Sequence, residues 1–461
     1  MASVLGALCS CTTYQPAPLN LRQSAEQFSE RRLDDSQLQA DLARLLPQKN
    51  TSWPPEKWDR GELLAIALVR NPELAIARAR IQAASAHEVT AHQRLNPDLT
   101  LQSEYGARGE AHPWLYGVAL EWVLRSPGRR RLEQEIARLD TTNTRLQLMD
   151  GIWAVRRELI AALSDWEGAR RRLTLLDRLA TVQDELLLLE RRRVQAGEDS
   201  PSESVTVEQA SIEIEQQLAL ARAAADAAQA AAAKALGFPP AKLDAMRFAW
   251  PDWGAPPTIS DEESRGVRER ALLSRSDLEA AIGEYSIAEA QLKLAVKRQY
   301  PQLTIQPGYY WDHGVSKLPF DLGFTLPLNG NKGEIAEARA ARDVAGKRIL
   351  ALQADIYGEI AAAERSEHLA RDSTDTAERR LENARRQAKQ GELSLRLGES
   401  NVMERVGTEV LAIRAELEAL EMHTQLQTAR NNLEDVMHAP LSGPEIALAQ
   451  SPDPMAIGGG S

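Results

Sequence analysis

Few side chains in this sequence have the types and spacing that catalysis or metal binding requires. Seven histidines are scattered along 461 residues, and the closest pair, His87 and His92, is five positions apart, an awkward spacing for one face of a helix. No zinc-protease, CxxC, phosphate-loop or nucleophile-elbow motif occurs. Carboxylates are abundant, but charge runs on amphipathic helices are usually solvated faces. We therefore expect no enzyme, no cofactor and no metal site.

The two cysteines offer a different chemistry, which is lipid attachment. Cys9 and Cys11 are too close together for an ordinary disulfide, and Leu8-Cys9-Ser10-Cys11 is followed at once by a polar stretch. This pattern is similar to a lipobox, so we expect residues 1–11 to be a truncated lipoprotein signal and Cys11 to carry lipid. A basic n-region is missing and the apolar segment is short, which a start site placed too far downstream would explain. The alternative is an ordinary frayed terminus.

Charge and apolar content exclude two further classes of protein. The chain has 55 basic and 66 acidic residues, a formal net charge of -11. Binding to nucleic-acid phosphates requires the opposite sign, so we expect no nucleic-acid partner. The most apolar long stretch is residues 218–236, but it carries Arg222, Asp226 and Lys234. A transmembrane helix is therefore ruled out.

The chain contains two copies of one unit. The tetrapeptide at 71–74 has a counterpart at 275–278, an offset of 204 residues. The same offset relates Pro97 to Pro301, Leu99 to Leu303, Tyr105 to Tyr309, Leu124 to Leu328 and Ala137 to Ala341. Farther along, the Gly-Glu-x-Ser sequence at 197–200 matches 391–394 at an offset of 194. The second copy is therefore shorter in its long helix.

Each unit begins with an alanine-rich helix and continues into two strands. The helices are expected at about 60–93 and 264–297, and Pro97 and Pro301 end them. The apolar period then changes from 3.6 to 2, which predicts strands at about 97–107, 114–124, 301–312 and 318–328. Each hairpin has an apolar, aromatic face and a polar or small face.

These hairpins have the properties of membrane-spanning strands. Alternation alone is more often explained by a soluble core, but strands of about 9 to 11 residues with clustered aromatics are typical of outer-membrane barrels. Lipid-facing positions are predicted at Tyr116, Leu120, Trp122, Leu303, Ile305, Phe320 and Phe324. Four strands cannot close a barrel, and an open edge in lipid leaves backbone groups unsatisfied. The chain must therefore oligomerise.

A long helical hairpin follows each pair of strands. Leucines at three- and four-residue spacings predict antiparallel coiled hairpins over 129–237 and 334–438. The turns are expected at 197–201 and 391–394, where glycine can end a helix. A continuous helix over 129–196 would be about 100 Å long.

In this order, the features resemble the TolC-type outer-membrane factors, specifically their lipoprotein efflux branch. These proteins are the exit ducts of tripartite efflux pumps and type I secretion systems, and the likeness covers nearly the whole chain. It rests on the lipobox, Asn71-Pro72-Glu73-Leu74, Asn96-Pro97-Asp98-Leu99, the run from Leu326 to Ala338 and the two Gly-Glu-x-Ser turns. The resemblance implies a mainly α protein with a membrane β-barrel. It also implies a trimer whose twelve strands form one outer-membrane barrel above a periplasmic α-helical tunnel.

The resemblance also implies a division of the chain and a set of site residues. The segments are a signal and lipobox (1–11), an N-terminal equatorial segment (12–59), repeat 1 (60–237), an equatorial linker (238–263), repeat 2 (264–438) and a C-terminal tail (439–461). The helical turns, farthest from the strands, are the expected docking tips for an adaptor, at Gly197, Asp199, Ser200, Gly391, Leu393 and Ser394. The family carries acidic residues at the sixth and ninth positions after the second tip glycine, where they constrict the periplasmic mouth. The gate candidates here are Leu397 and Ser400 at those positions, with Glu399 and Glu404 nearby.

The expected function is a passive exit duct in the bacterial outer membrane, lipid-anchored and largely periplasmic. A homotrimer would conduct small substrates, metal cations or drugs, from an inner-membrane pump through a periplasmic adaptor. The pump is expected to be of the resistance-nodulation-division type. Two alternatives stay open: a structural coiled-coil envelope protein without transport, and a type I secretion duct.

Overall fold

The computed structural model describes residues 13–47, 52–106, 112–125, 127–258 and 260–449. In the first half of the chain the elements are α1 (Leu21–Ser29), α2 (Ser36–Leu45), β1 (Trp58–Asp59), α3 (Arg60–Arg70), α4 (Pro72–His92), β2 (Asp98–Tyr105), β3 (Trp114–Leu124), α5 (Pro127–Ala196), α6 (Pro201–Leu236) and β4 (Phe248–Ala249). In the second half they are α7 (Asp261–Ser274), α8 (Ser276–Lys297), β5 (Leu303–Asp312), β6 (Val315–Lys317), β7 (Phe320–Phe324), α9 (Lys332–Leu397), α10 (Val402–Met437) and α11 (Ile446–Ala449). A short 3₁₀ helix, Pro240–Leu243, precedes β4. The predicted signal and Cys11 lie outside the described residues.

The helix that opens each unit is divided into two, where the sequence predicted one. In the first unit the break is at Asn71, whose side-chain oxygen accepts hydrogen bonds from the N–H groups of Glu73 (2.8 Å) and Leu74 (3.3 Å). Pro72 then occupies the first turn of α4, where its missing N–H is harmless. In the second unit Arg275 is extended between α7 and α8. The motif at 71–74 is thus a helix start.

Strands from both units form one antiparallel sheet in the order β2-β3-β5-β7. β6 pairs with residues 310–312 of β5, and β7 pairs with residues 303–307 of the same strand. The strand predicted over 318–328 is therefore shorter, at Phe320–Phe324, and β6 precedes it as a separate strand. Pro319 and Pro327 explain the difference, because proline has no N–H to donate to a ladder.

The long helices pack as two antiparallel hairpins that contact each other. α5 has 70 residues and α9 has 66, whereas the returning helices α6 and α10 have 36 each. Near the turns, the two hairpins share a buried cluster of Leu176, Leu179, Val182, Ile214, Ala221, Val406, Val410 and Ile413. Among the described residues, none of the helices combines the length and the apolar content that a membrane crossing requires.

The largest core lies between the sheet and the turns. It collects buried side chains of α2, α3, α5 and the segment after α6, among them Leu38, Ile66, Leu163, Phe238 and Trp253. The two-residue strands β1 and β4 pair in parallel beside it. This core joins the N-terminal segment and the linker between the units to the first helical hairpin.

The first helical turn lies where the sequence predicts it, but the second does not. α9 continues through Gly391 to Leu397, so the prediction of a turn at 391–394 is wrong. The turn is at Gly398 (φ 76°), where the N–H of Glu399 donates to the carbonyl of Ser394 at 2.9 Å. Asn401 then caps α10 by accepting from the Glu404 N–H at 2.9 Å.

Gly391 has a different role from the one its sequence context predicted. A Cβ atom at this position would lie 2.8 Å from the Thr408 hydroxyl of α10. The missing side chain therefore allows close approach of α9 and α10, one heptad before the turn. Local sequence does not distinguish a glycine that ends a helix from one that packs inside it.

Candidate membrane face and helical turns

One face of the four-stranded sheet is apolar from edge to edge. Residues opposite each other in an antiparallel ladder point to the same side, and the ladders pair Leu101 with Val118, Val118 with Tyr309, and Ile305 with Leu322. The seven positions predicted to face lipid all fall on this side, which we call the apolar face: Tyr116, Leu120, Trp122, Leu303, Ile305, Phe320 and Phe324. Phe320 and Phe324 are each 61% exposed. The helices do not cover this face.

The opposite face, here called the polar face, carries mostly small and polar residues. Gln102 lies opposite Gly117, and Thr304 lies opposite Gly323. The Tyr310 ring lies over Gly117, where a Cβ atom would be 2.2 Å from the ring. A side chain at position 117 would displace this ring. The two faces therefore differ in chemistry as the alternation predicts.

Aromatic rings collect at one end of the apolar face. The ring centroids of Tyr105 and Trp114 are 4.8 Å apart, and those of Trp114 and Tyr116 are stacked at 5.5 Å. This end of the sheet is farthest from the long helices along the chain. Girdles of aromatic side chains are typical of the interface between a membrane and water.

The sheet has two edges that make no ladder within the described residues. β2 pairs only with β3, and β7 pairs only with β5. Each edge presents a row of N–H and C=O groups beside an exposed apolar face. In lipid such groups need protein partners, so another strand must cover both edges.

A cleft of about 940 Å³ lies where the sheet meets the helices. α4, α5, α8 and α9 line it together with the segments entering and leaving the strands. Its walls carry charges of both signs, including the pairs Arg125–Glu133 (2.7 Å) and Arg298–Glu334 (3.3 Å). The cleft is thus lined by ion pairs and is not shaped for one apolar ligand.

The helical turns bring together most of the predicted docking and gate residues. Gly197, Asp199 and Ser200 lie in the first turn, with the Gly197 backbone left-handed (φ 75°). Leu397 ends α9, Glu399 and Ser400 lie in the second turn, and Glu404 lies in the first turn of α10. Gly391, Leu393 and Ser394 are placed on α9 before the turn. Leu393 and Leu397 are 57% and 64% exposed, so this end of the helix is apolar on its surface.

The turns of the two hairpins are in contact. Arg193, near the end of α5, donates to the Met403 sulfur at 2.9 Å, and Arg405 of α10 pairs with Glu185 of α5. The first turn therefore lies against the start of α10. Both turns form one surface at the end of the molecule opposite the sheet.

A buried ionic cluster, which the sequence analysis did not find, joins the units at the level of the main core. Arg156 of α5 donates to Glu434 of α10, to Asp435 Oδ1 at 3.1 Å and to Glu445 Oε2 at 3.1 Å. Burial raises the pKa of Asp435 to about 6, although Arg156 opposes this shift. The partners are nearly 300 positions apart in sequence, so no local signal could reveal them.

His438, beside this cluster, makes the stability of the helical region sensitive to acid. It ends α10 with a left-handed backbone (φ 47°) and stacks on Trp153 with centroids 5.2 Å apart. Burial, with the positive charge of Arg275, lowers its pKa to about 4 from an ordinary value of 6.5. Between pH 6.5 and 4 the unfolded chain therefore binds a proton that the folded chain does not. Stability from this group is present above pH 6.5 and is lost as the pH falls.

We expect His438→Asn to reduce the acid-induced loss of stability. Asparagine tolerates the left-handed backbone and does not titrate. Asp435 acts in the opposite direction, since its raised pKa favours the folded state as the pH falls from 6 to 4. Between pH 7.5 and 5 the variant should gain about 1 to 2 kcal/mol relative to the parent, measured by unfolding in detergent. His368→Asn is the control, because His368 is exposed. If the parent and both variants lost the same stability as the pH falls, the assignment of the acid sensitivity to His438 would be wrong.

The fold of the described residues is similar to that of solved outer-membrane proteins. The outer-membrane channel OprN superposes with a TM-score of 0.68 at 17% identity, covering 94% of this chain and 98% of that one. A membrane protein from Pseudomonas aeruginosa gives 0.68 at 18% identity, covering 82% and 90%. The outer membrane protein VceC from Vibrio cholerae gives 0.66 at 15% identity, covering 83% and 97%.

The comparison with protein-family models agrees with this similarity of fold. Residues 63–238 match the model of the outer membrane efflux protein family, and this segment contains the helices and strands of the first unit. No curated protein matches the sequence. The resemblance to outer-membrane efflux proteins expected from the sequence is thereby confirmed.

Proposed function

We propose that this protein is a subunit of the outer-membrane exit duct of a tripartite efflux system. Small substrates, metal cations or drugs, would pass through it from an inner-membrane pump and a periplasmic adaptor. The observation that carries the proposal is the exposed apolar face with two uncovered edges, joined to the outgoing helices α5 and α9, each about 100 Å long. The chain itself would supply no energy.

Three copies would form the duct. Each chain contributes four strand positions, because β6 and β7 lie end to end beside β5, and a closed barrel needs at least about eight. A ring of three chains, with β7 of one subunit beside β2 of the next, closes twelve strands and covers every edge. The apolar face then contacts lipid, and the polar face lines the lumen. A lipid on Cys11 would add a second attachment to the same membrane.

The helical turns would form the periplasmic mouth and the adaptor-docking surface. With the second tip glycine placed at Gly398, the sixth position after it is Glu404 and the ninth is Gly407. Glu404 therefore stands where the family carries an acidic residue, and three copies would form a ring of carboxylates. This supports a gate at the start of α10. We assign the pump to the resistance-nodulation-division type from the family resemblance.

Planar-bilayer conductance with the purified protein tests the duct. The detergent-solubilised particle is expected to be a trimer and to form water-filled channels in the bilayer. A monodisperse monomer extracted without detergent would favour the structural coiled-coil alternative. A trimer without conductance in any state, including a Glu404→Gln variant designed to open the mouth, would contradict a duct. Export of an unfolded polypeptide would instead assign the chain to type I secretion.

A further inference from the structure

Three carboxylates converge behind the first helical turn. Glu190 lies on α5, Asp199 lies in the turn and Glu203 lies in the first turn of α6. One carboxylate oxygen from each lies within 4.8 Å of the others. The antiparallel pairing of α5 and α6 creates this cluster, because it brings position 190 beside position 203. The sequence analysis assigned no metal site, and charge runs on the helices gave no sign of this one.

The Glu190 carboxylate is buried and incompletely paired. The residue is 5% exposed, and its Oε1 atom has no hydrogen-bond partner among the described residues. A buried charge without a partner is strongly unfavourable, so this oxygen needs a cation or a proton.

The nearby arginine does not satisfy the cluster. Arg193 pairs with Asp199, with Nε 2.8 Å from Oδ2 and Nη2 3.1 Å from Oδ1. Three carboxylates and one guanidinium leave a local charge of two negative units when all are ionised. Each carboxylate oxygen retains a lone pair, so Asp199 can still coordinate while it accepts from Arg193. One divalent cation would therefore neutralise the remaining charge.

We propose that Glu190, Asp199 and Glu203 bind one calcium ion per chain. The donors are all carboxylate oxygens, which hard cations prefer, and no histidine or cysteine is part of the cluster. Calcium accepts six to eight oxygens with flexible geometry, so mono- and bidentate carboxylates and water complete its shell. Magnesium requires near-octahedral geometry with shorter bonds, and we expect it to bind more weakly.

The ion would fix the end of the first helical hairpin. Its ligands come from both helices and from the turn between them. Arg193, held by Asp199, also contacts Met403 at the start of α10. Occupancy would therefore hold the first turn against the second hairpin. The binding itself does not depend on the chain being a duct.

Calcium titration of the full-length protein tests the site. Metal-stripped protein in detergent at pH 7.5 is titrated with calcium chloride by calorimetry, and one site per chain is expected. Glu190→Gln and Glu203→Gln should each weaken binding at least about tenfold, since each removes a ligand charge. Glu208→Gln is the control, because Glu208 is exposed on α6 and pairs with Arg191 at 3.1 Å.

Three results would overturn the proposal. The first two are the absence of calcium binding to the parent protein and binding that both ligand variants retain at full strength. Circular dichroism of each variant identifies a loss of helix, and Glu203→Gln, at an exposed position, provides a test if Glu190→Gln does not fold. A Glu190→Gln variant that is more stable than the parent at every calcium concentration would show that the site holds a proton instead.

Discussion

Leu101→Arg is expected to prevent assembly in the outer membrane, whereas Gln102→Arg, one position along the same strand, is expected to be tolerated. Leu101 lies on the apolar face opposite Val118 near the middle of the sheet and is 76% exposed. An arginine facing lipid near the midplane costs about 2 to 4 kcal/mol per site. Gln102 lies on the polar face opposite Gly117, so its replacement would extend into the lumen.

The two variants form a matched pair. Both residues are exposed in the single chain, so neither change removes a buried contact within the subunit. The measurement is the fraction of protein recovered as a heat-stable trimer in outer-membrane preparations. Equal recovery of both variants would mean that the apolar face does not contact lipid. If only Gln102→Arg failed to form trimers, the assignment of the lipid-facing and lumen-facing sides would have to be exchanged.

The double variant Leu393→Glu and Leu397→Glu is expected to lose transport and adaptor cross-linking while still forming inserted trimers. The two leucines are four positions apart on α9, so they share one face of the helix just before the second turn. Both are more than half exposed, and the contacts within the chain do not explain their apolar character. Two carboxylates there would disrupt an apolar contact with an adaptor helix.

Leu369→Glu is the control for this experiment. Leu369 is an exposed leucine of the same helix, roughly 40 Å from the turn. Cross-linking per assembled trimer should match that of the parent in the control and fall to background in the double variant. Full export activity of the double variant at normal trimer levels would show that the adaptor docks elsewhere.

Much of the architecture could be predicted because its signals are local or periodic. The offset of 204 residues between Leu74 and Leu278 indicated the repeat, and alternation from Trp114 to Leu124 assigned each side chain to a face. A strand has a period of two, so the sequence is enough to sort its residues into two sides. The helical hairpins followed in the same way from leucine spacing.

Other features depended on contacts that the local pattern does not encode. Gly391 and Gly398 are both followed by glutamate, yet only Gly398 ends a helix. Packing decided between them, since Gly391 lies against Thr408 of α10 while Gly398 has no atom near its missing Cβ. The gate candidates shifted with this correction, which placed Glu404 at the sixth position after the turn glycine.

The sequence by itself therefore determined the repeat, the faces of the strands and the presence of two long helical hairpins. Only the tertiary structure decided where the second hairpin turns and which charges meet. Arg156 with Glu434 and Glu445, and Glu190 with Glu203, come together because helices pack side by side. The physical reason is that the periodicity of a sequence shows which residues face water and which face apolar surroundings. The partner of a buried charge is set instead by the register between helices, which depends on packing along their whole length.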